Sequence, residues 1–490
     1  MHSNLLPQLW TGSVFILHLL VAARALTRAN RSPASRAAWV AVIMLVPLVG
    51  IAAYLLLGET SIGRSRARRL RRVQTTLQRP VQTPAQVSGA AASLVALAHS
   101  ITGFDAVAGN RIVLLGDATA VPAQPMVNSK AAIHHLIDDI AQARQQVHIA
   151  FYIWLADDTG QRLAQAVAAA ARRGVQCRVM VDALGSRAFH DGALWRELAQ
   201  AGVQLLATLD DVSRLRHMAL SRVDLRDHRK LVVIDNRIAY CGSQNCADPE
   251  FRIKARYAPW IDVLLRCEGP VVRQMQTLFL SGWIPETNEA GLDDLPNAPV
   301  AAADAAPGNC VAQAVETGPT ARHNGMSDLF VASMYAARHE LLITTPYFVP
   351  DEALLRALCA APRRGVATTL IVPARNDSWL VAQACRSCYA DLLSNGVALY
   401  EYPLGVLHAK TLTLDGEISL VGSANMDRRS LELNYENNLL ISDCEVTGSI
   451  RARQLGYLSV SKPVDVATVR AWPFHTRLVH NVVGMMAPVL

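Results

Sequence analysis

Apolar and polar positions follow three different rhythms along the chain. Ala37 to Gly58 (AAWVAVIMLVPLVGIAAYLLLG) runs 22 positions without a charge, about 33 Å as a helix and enough for a bilayer core, which predicts a transmembrane segment. Trp10 to Ala23 (WTGSVFILHLLVAA) is a shorter apolar run containing His18, expected as a second span with its flanks. Beyond Ala143 the rhythm changes. Short β-rich apolar runs alternate there with alanine-rich stretches of helical spacing, the pattern of an α/β body.

That body repeats itself. ARQQVHIAFYIWLADDTGQRLAQAVAAAARRGVQCRVMVDALGS from Ala143 aligns with ARHELLITTPYFVPDEALLRALCAAPRRGVATTLIVPARND from Ala337. Each predicts strand, polar turn, amphipathic helix, Arg-Arg-Gly-Val exit and a second strand, a βαβ unit with a parallel sheet. Each continues into a further matching pair, DHRKLVVIDNRIAYCGSQN (Asp227 to Asn245) and LHAKTLTLDGEISLVGSAN (Leu407 to Asn425). The expected organisation is a membrane anchor over 1–72, a first α/β half over 73–284, an irregular Ala/Pro/Asp/Asn-rich linker over 285–319 and a second half over 320–490. Within the first half, Arg111 to Leu115 reads as a strand and Lys130 to Gln146 as a helix.

Charge refines this picture. The net charge is +7, yet the first 80 residues hold 11 Arg, no Lys and only Glu59 as an acid, which leaves 36 basic and 39 acidic residues for the rest. The body is therefore slightly acidic, which argues against a nucleic-acid partner. Arg64, Arg66, Arg68, Arg69, Arg71 and Arg72 follow the long apolar run and place the body on the cytoplasmic side; Arg28, Arg31 and Arg36, in the loop between the two runs, pull the other way. The n-region carries no Lys or Arg and a second apolar run follows, so a cleaved signal peptide is not expected. Nine cysteines without paired spacing imply no disulfide framework, and the lone Cys385-x-x-Cys388 has no companion ligands for zinc. Nothing in the sequence sets an oligomeric state.

Chemistry concentrates in the second matching pair. In both copies the spacing runs His, one residue, Lys, four residues, Asp, six residues, Gly-Ser, one residue, Asn: His228, Lys230, Asp235, Gly242, Ser243, Asn245 and His408, Lys410, Asp415, Gly422, Ser423, Asn425. Residues i and i+2 of a strand share a face, so each His and Lys point into the same space, and Asp235-Asn236 and Asp415-Gly416 read as hairpin turns. One His-x-Lys is ordinarily a polar strand face and one Gly-Ser ordinarily a turn. The whole pattern repeated inside a duplicated fold is far harder to dismiss. A neutral imidazole is a competent nucleophile toward phosphorus, a second can protonate the leaving alkoxide, and two lysines with two asparagines can hold phosphate oxygens without a metal.

These motifs resemble the phospholipase D superfamily, whose signature is the doubled His-x-Lys-x4-Asp, and within it the bacterial cardiolipin synthases. The resemblance extends to the two N-terminal apolar segments, GNRIVLL at Gly109, TPYFVPDE at Thr345 and the apolar tail. It implies two similar α/β domains forming one active site, in which one histidine becomes a phosphatidyl-histidine and the other acts as general acid and then base. Two phosphatidylglycerol molecules would give cardiolipin and glycerol at a bacterial inner membrane; a phospholipase D-type hydrolase of phospholipid or nucleic acid is the alternative. No cofactor and no metal follow. Carried over, His228 and His408 are the catalytic pair, with Lys230 and Lys410, and Asp235 and Asp415 complete the motif as structural acids. Asn245, Asn425, Ser243 and Ser423 are expected on the substrate. Glu436 in NYENN matches an acid that orients a histidine, and Asp262 in PWIDVLL is its counterpart in the first half. The symmetry leaves open which histidine is the nucleophile; His228 is expected to be.

Overall fold

The computed structural model describes residues 5–29, 31, 33–59, 62–77, 82–116, 125–210, 222, 224–287 and 308–485. The chain divides into two compact units, one built on Met1–Ala67 and Asp211–Leu225, the other on Arg68–Asp210 and Arg226–Pro488.

In the first unit the long apolar run does not make one helix. Helix Leu5–Thr27 is followed by Pro33–Leu45, a break at Pro47, the short helix Val49–Ala53 and a π-turn at Tyr54–Gly58. Pro47 has no N–H to donate and its ring crowds the carbonyl four residues back, while Leu48 turns left-handed at φ 61°. Among the described residues no helix is long and apolar enough to cross a membrane, and the apolar run Ala37 to Gly58 is not one continuous α-helix. Val21, Ala25, Trp39, Ile43, Ile51 and Tyr54 form a small core, and Arg24 grips Glu59 with two hydrogen bonds of 2.6 and 2.8 Å. Phe15, Ile16, Leu20, Leu45 and Val49 point outward.

The second unit is built on strands. In the first half these are β1 (Val107–Leu114), β2 (Gln146–Phe151), β3 (Gln176–Asp182), β4 (Gln204–Thr208), β5 (Lys230–Ile234), β6 (Ile238–Gly242), β7 (Trp260–Ile261) and β8 (Leu264–Glu268). In the second half they are β9 (Cys310–Thr317), β10 (Glu340–Thr344), β11 (Phe348–Val349), β12 (Ala367–Pro373), β13 (Ala398–Tyr402), β14 (Val406–Leu407), β15 (Thr411–Leu414), β16 (Ile418–Gly422), β17 (Met426–Asp427), β18 (Glu436–Ser442) and β19 (Lys462–Pro463). Fifteen strands join in one sheet, ordered β19-β13-β12-β10-β15-β16-β18-β9-β1-β8-β6-β5-β2-β3-β4. Read outward from the β9-β1 junction the two halves have the same order. Only β2-β3-β4 and β10-β12-β13 are parallel; the motif hairpins β5-β6 and β15-β16 are antiparallel, so the parallel sheet expected from the βαβ pattern is the outer third of a mixed one.

Strand alternation sorts the side chains into layers. Leu231 and Val233 enter a core with Met275 and Phe279 of helix Val271–Thr287 and with Leu407 and Leu439 of the second half, whereas Val232 and Ile234 face Leu163 and Val167 of helix Asp158–Arg172. The first core thus runs continuously through both halves. At the junction the β1-β9 register slips between Val107 and Asn110. Buried Asn110 mends it, its Nδ2 donating to Val107 O and Cys310 O at 2.7 and 3.0 Å and its Oδ1 accepting from Val271 N–H at 2.8 Å. The stretch expected as linker is helical to Thr287 and strand from Cys310; 288–307 lie outside the described residues. Helix Arg64–Thr76 runs across the 72/73 boundary expected for the anchor.

Candidate active site

Each motif histidine is placed by a backbone contact with the opposite half. β7 runs parallel to β14, so His408 N–H donates to Ile261 O at 2.8 Å. Asp227 bridges Tyr435 in the same sense, so His228 N–H donates to Tyr435 O at 2.9 Å. The next residue after each accepting carbonyl is an acid. Asp262 therefore meets His408, Nδ1 to Oδ1 at 2.6 Å, and Glu436 meets His228, Nδ1 to Oε2 at 2.8 Å. The two acid–imidazole pairs are crossed between the halves.

Because an ionised carboxylate only accepts, Nδ1 of each imidazole carries the proton and Nε2 is left as the lone-pair nitrogen. Burial drives both histidines down to about 4 against the upward pull of their carboxylates, so both are neutral near pH 7. Burial would raise Glu436 and Asp262, but the histidine beside each, the adjacent lysine and a serine hydroxyl outweigh it and hold both below the usual range.

The serines are where the structure parts from the expected roles. Ser243 Oγ donates to Asp262 at 2.6 Å and accepts from Val263 N–H at 3.0 Å; Ser423 Oγ donates to Glu436 at 2.5 Å and accepts from Asn437 N–H at 2.9 Å. They brace the acids and are not placed on substrate. The glycine before each serve a close approach: a Cβ on Gly242 would come within 2.2 Å of Val263 O, and one on Gly422 within 2.3 Å of Asn437 O. Glu436 has the fuller shell, its Oε1 accepting also from Ser430 Oγ at 2.7 Å and Asn434 Nδ2 at 3.1 Å.

Lys230 and Lys410 are buried behind the histidines, each Nζ donating to the carbonyl of its own motif histidine at 2.9 and 2.7 Å. Burial brings Lys230 down to about 8 and Lys410 to about 7. Asn245 Oδ1 accepts from Ile153 N–H at 3.3 Å, and buried Asn425 Oδ1 has no hydrogen-bond partner among the described residues. A narrow recess with room for no more than about one water lies beside Asn245, Trp260 and Asp262.

Asp235 and Asp415 stand apart, at the far ends of the hairpins. Asp235 accepts from the N–H groups of Arg144, Gln145 and Gln146 at 2.8–2.9 Å, and Asp415 from those of Arg338, His339 and Glu340 at 2.7–2.9 Å. Each pins the entry to β2 or β10 and lies away from the reacting centre. Both occupy left-handed turns, at φ 51° and 53°, a conformation Asp tolerates better than most residues.

Several participants carry no motif signal. Tyr152 and Trp260 pack against His228 and His408 with ring centroids 4.8 and 4.7 Å away and ring planes tilted by 59° and 57°. Asn437 donates to Lys230 O and accepts from Lys230 N–H, copying a strand partner. Arg229 closes a two-bond grip on Asp227 at 2.8 and 2.7 Å beside His228. Among the described residues no three His, Cys, Asp or Glu side chains converge to hold a metal ion.

Comparison with known proteins fits this geometry. The family model described as a cardiolipin synthase, phospholipase D-like domain matches residues 136–282 and 330–453. The chain belongs to that family. A model described as a phospholipase D-nuclease N-terminal region matches residues 16–59. The proteins named cardiolipin synthase A of Cronobacter sakazakii and Citrobacter koseri are each 36% identical over 470 residues, 94% of either chain. The phosphatidylserine synthase of Haemophilus influenzae shares the fold at 12% identity, with a TM-score of 0.55 over 77% of this chain and 95% of its own. The two segments matched by the cardiolipin synthase model contain both motifs and both crossed acids.

Proposed function

We propose that this member of the cardiolipin synthase family is a membrane-attached phosphatidyltransferase that converts two phosphatidylglycerol molecules into cardiolipin and glycerol. The observation that carries the reading is the pair of crossed acid–imidazole contacts beside two buried lysines. His228 Nε2 attacks phosphorus of the first lipid, forming the P–N bond as the P–O bond to the headgroup glycerol breaks; His408, protonated on binding the anionic phosphate, gives Nε2–H to the departing alkoxide. Neutral His408 then takes the proton from a headgroup hydroxyl of the second lipid, whose oxygen displaces His228 and forms cardiolipin. Lys230 and Lys410, with Asn245 and Asn425, hold the phosphate oxygens. The four hydrogen bonds on Glu436 favour His228 as the nucleophile, because the phosphorylated imidazolium persists through the intermediate and needs a fixed counter-charge. The outward Phe15, Ile16, Leu20, Leu45 and Val49 of the N-terminal helices and the adjoining arginines support attachment to the inner membrane, with the catalytic body on the cytoplasmic side.

Mass spectrometry of products from phosphatidylglycerol in mixed micelles tests the reading. Cardiolipin with equimolar glycerol, abolished in His228→Ala and in His408→Ala, is the expected result. Phosphatidic acid without cardiolipin would make water the acceptor and overturn it.

A further inference from the structure

The C-terminal segment presents an apolar surface that the chemistry above leaves unused. Helix Phe474–Met485 lays one face on helix Trp379–Ser387: Val483 joins Ala384 and Val349 in a small core, and a Cβ on Gly484 would come within 2.6 Å of Ser387 Oγ. The helix is therefore seated. Its opposite face carries Phe474, Leu478, Val482 and Met485, at intervals that bring them onto one stripe. They are 72%, 50%, 49% and 80% exposed, and Trp379 and Leu380 of the neighbouring helix are exposed as well. Six large apolar side chains left bare on two packed helices mark a surface with a partner.

The charge around it names the partner. From Val466 to Leu490 the sequence holds Arg470 and Arg477 and no acid; helix Trp379–Ser387 holds Arg386, which reaches Glu401 at 4.0 Å, and the acid before it, Asp377, has a side chain 4% exposed and tied to Lys254 and Tyr347. An apolar stripe on a segment whose only charged side chains are Arg470 and Arg477 complements the acyl chains and headgroups of an anionic bilayer, the geometry of a helix lying in the interface. We propose that helices Trp379–Ser387 and Phe474–Met485 together form an interfacial docking surface for an anionic phospholipid bilayer. The surface is tied to the reacting centre. The core shared by Val483 and Ala384 includes Val349 of β11, and β11 pairs with β17, which begins directly after Asn425. Asp377, two residues before the exposed Trp379, accepts from Tyr347 Oη at 2.7 Å and from Lys254 of the first half at 2.5 Å. Docking would thus hold the second motif at the depth of lipid phosphates.

The inference rests on the phospholipid-substrate reading, and its test separates the two. The full chain is reconstituted in phosphatidylglycerol vesicles, and emission quenching by brominated phosphatidylglycerol is compared between wild type and Trp379→Phe; the difference isolates Trp379 from the other tryptophans. Cardiolipin formation is then measured on vesicles and on monomeric short-chain phosphatidylglycerol for wild type and the L478S/V482S double variant. Expected are strong quenching of the Trp379 component and about a tenfold lower vesicle rate in the double variant, with the short-chain rate unchanged. An unquenched Trp379 component, or equal vesicle rates, would overturn the docking surface. So would concentration-dependent self-association that buries Trp379 without lipid and is lost in L478S/V482S, because the occupant would then be a second copy. Quenching without product from either lipid form would leave docking standing and overturn the transferase reading instead.

Discussion

Asp262→Asn is the sharpest probe of the site, because it removes a charge while keeping shape. In the resting site Asp262 faces a neutral imidazole, so the substitution there exchanges one hydrogen-bond acceptor for another. Its cost appears when His408 carries a proton. At the 2.6 Å separation from Nδ1 and an effective dielectric of about 20, the carboxylate–imidazolium attraction is about 6 kcal/mol. The asparagine oxygen still accepts from Nδ1–H and keeps roughly 1–2 kcal/mol of that. About 4 kcal/mol of transition-state stabilisation is lost, or on the order of a thousandfold in kcat. KM should change little, since phosphate contacts are made by other groups. The assay is steady-state cardiolipin formation with a thermal melt in parallel, and the melting temperature should stay within a few degrees of wild type. A kcat within tenfold of wild type in a correctly folded Asp262→Asn protein would refute the reasoning; so would a large rise in KM at unchanged kcat.

Glu436→Gln should lose kcat on a similar scale, and also stability, because the new NH2 faces the Asn434 and Ser430 donors that Oε1 now accepts from; urea unfolding should show about 1–3 kcal/mol lost, against little for Asp262→Asn. Asp235→Ala and Asp415→Ala each strip three backbone N–H groups of their acceptor; partly solvent-screened, each should cost about 1–2 kcal/mol in denaturant titration while leaving substantial activity in the cold. The phosphate holders set an alkaline limb. Lys410 at about 7 and Lys230 at about 8 are charged below those values, so kcat/KM should fall as pH rises from about 7 to 9; a flat profile there would remove them from phosphate binding. Ser423→Ala, which frees one lone pair of Glu436 from its 2.5 Å bond, should lower kcat about tenfold without moving KM.

The doubled His-x-Lys-x4-Asp spacing and the duplication were legible in the sequence because each is a local pattern, whereas Glu436 and Asp262 came only through the family resemblance. Their crossing was not legible. It depends on β7 lying beside β14 and on Asp227 lying beside Tyr435, contacts between segments about 146 and 208 positions apart along the chain, and no periodicity within either half encodes its neighbour. The same blindness misplaced Ser243 and Ser423: Gly-Ser next to a catalytic strand reads as a phosphate-facing turn until the strand bearing the acid is seen on its other side. Asp235 and Asp415 share the motif's spacing, but which three backbone donors claim each of them depends on the strand entry folded against the hairpin. Over Ala37 to Gly58 hydropathy counted residues and could not weigh Pro47, whose missing N–H ends the helix that a window average carries straight through.

The crossed pairs also bear on how the two halves became interdependent. Each half holds a histidine, a lysine, an acid and the serine that braces the acid, so by inventory either looks sufficient. By geometry neither is. Half one supplies His228 but borrows Glu436; half two supplies His408 but borrows Asp262. The backbone does the same, since each motif histidine donates its own N–H to a carbonyl of the other half. Removing either half would leave an imidazole without the acceptor that fixes its tautomer, and a braced carboxylate without the Nδ1–H donor it now accepts from. Assembly of the sheet across β1 and β9 and assembly of the reacting centre are therefore one event. Drift in the duplicated sequences is tolerated at Tyr152 against Pro346 or Arg229 against Ala409, where the halves serve different neighbours. At the crossed pairs both copies carry the histidine, and the acids keep their charge while differing in length as Asp262 and Glu436, each answering to a partner in the other copy.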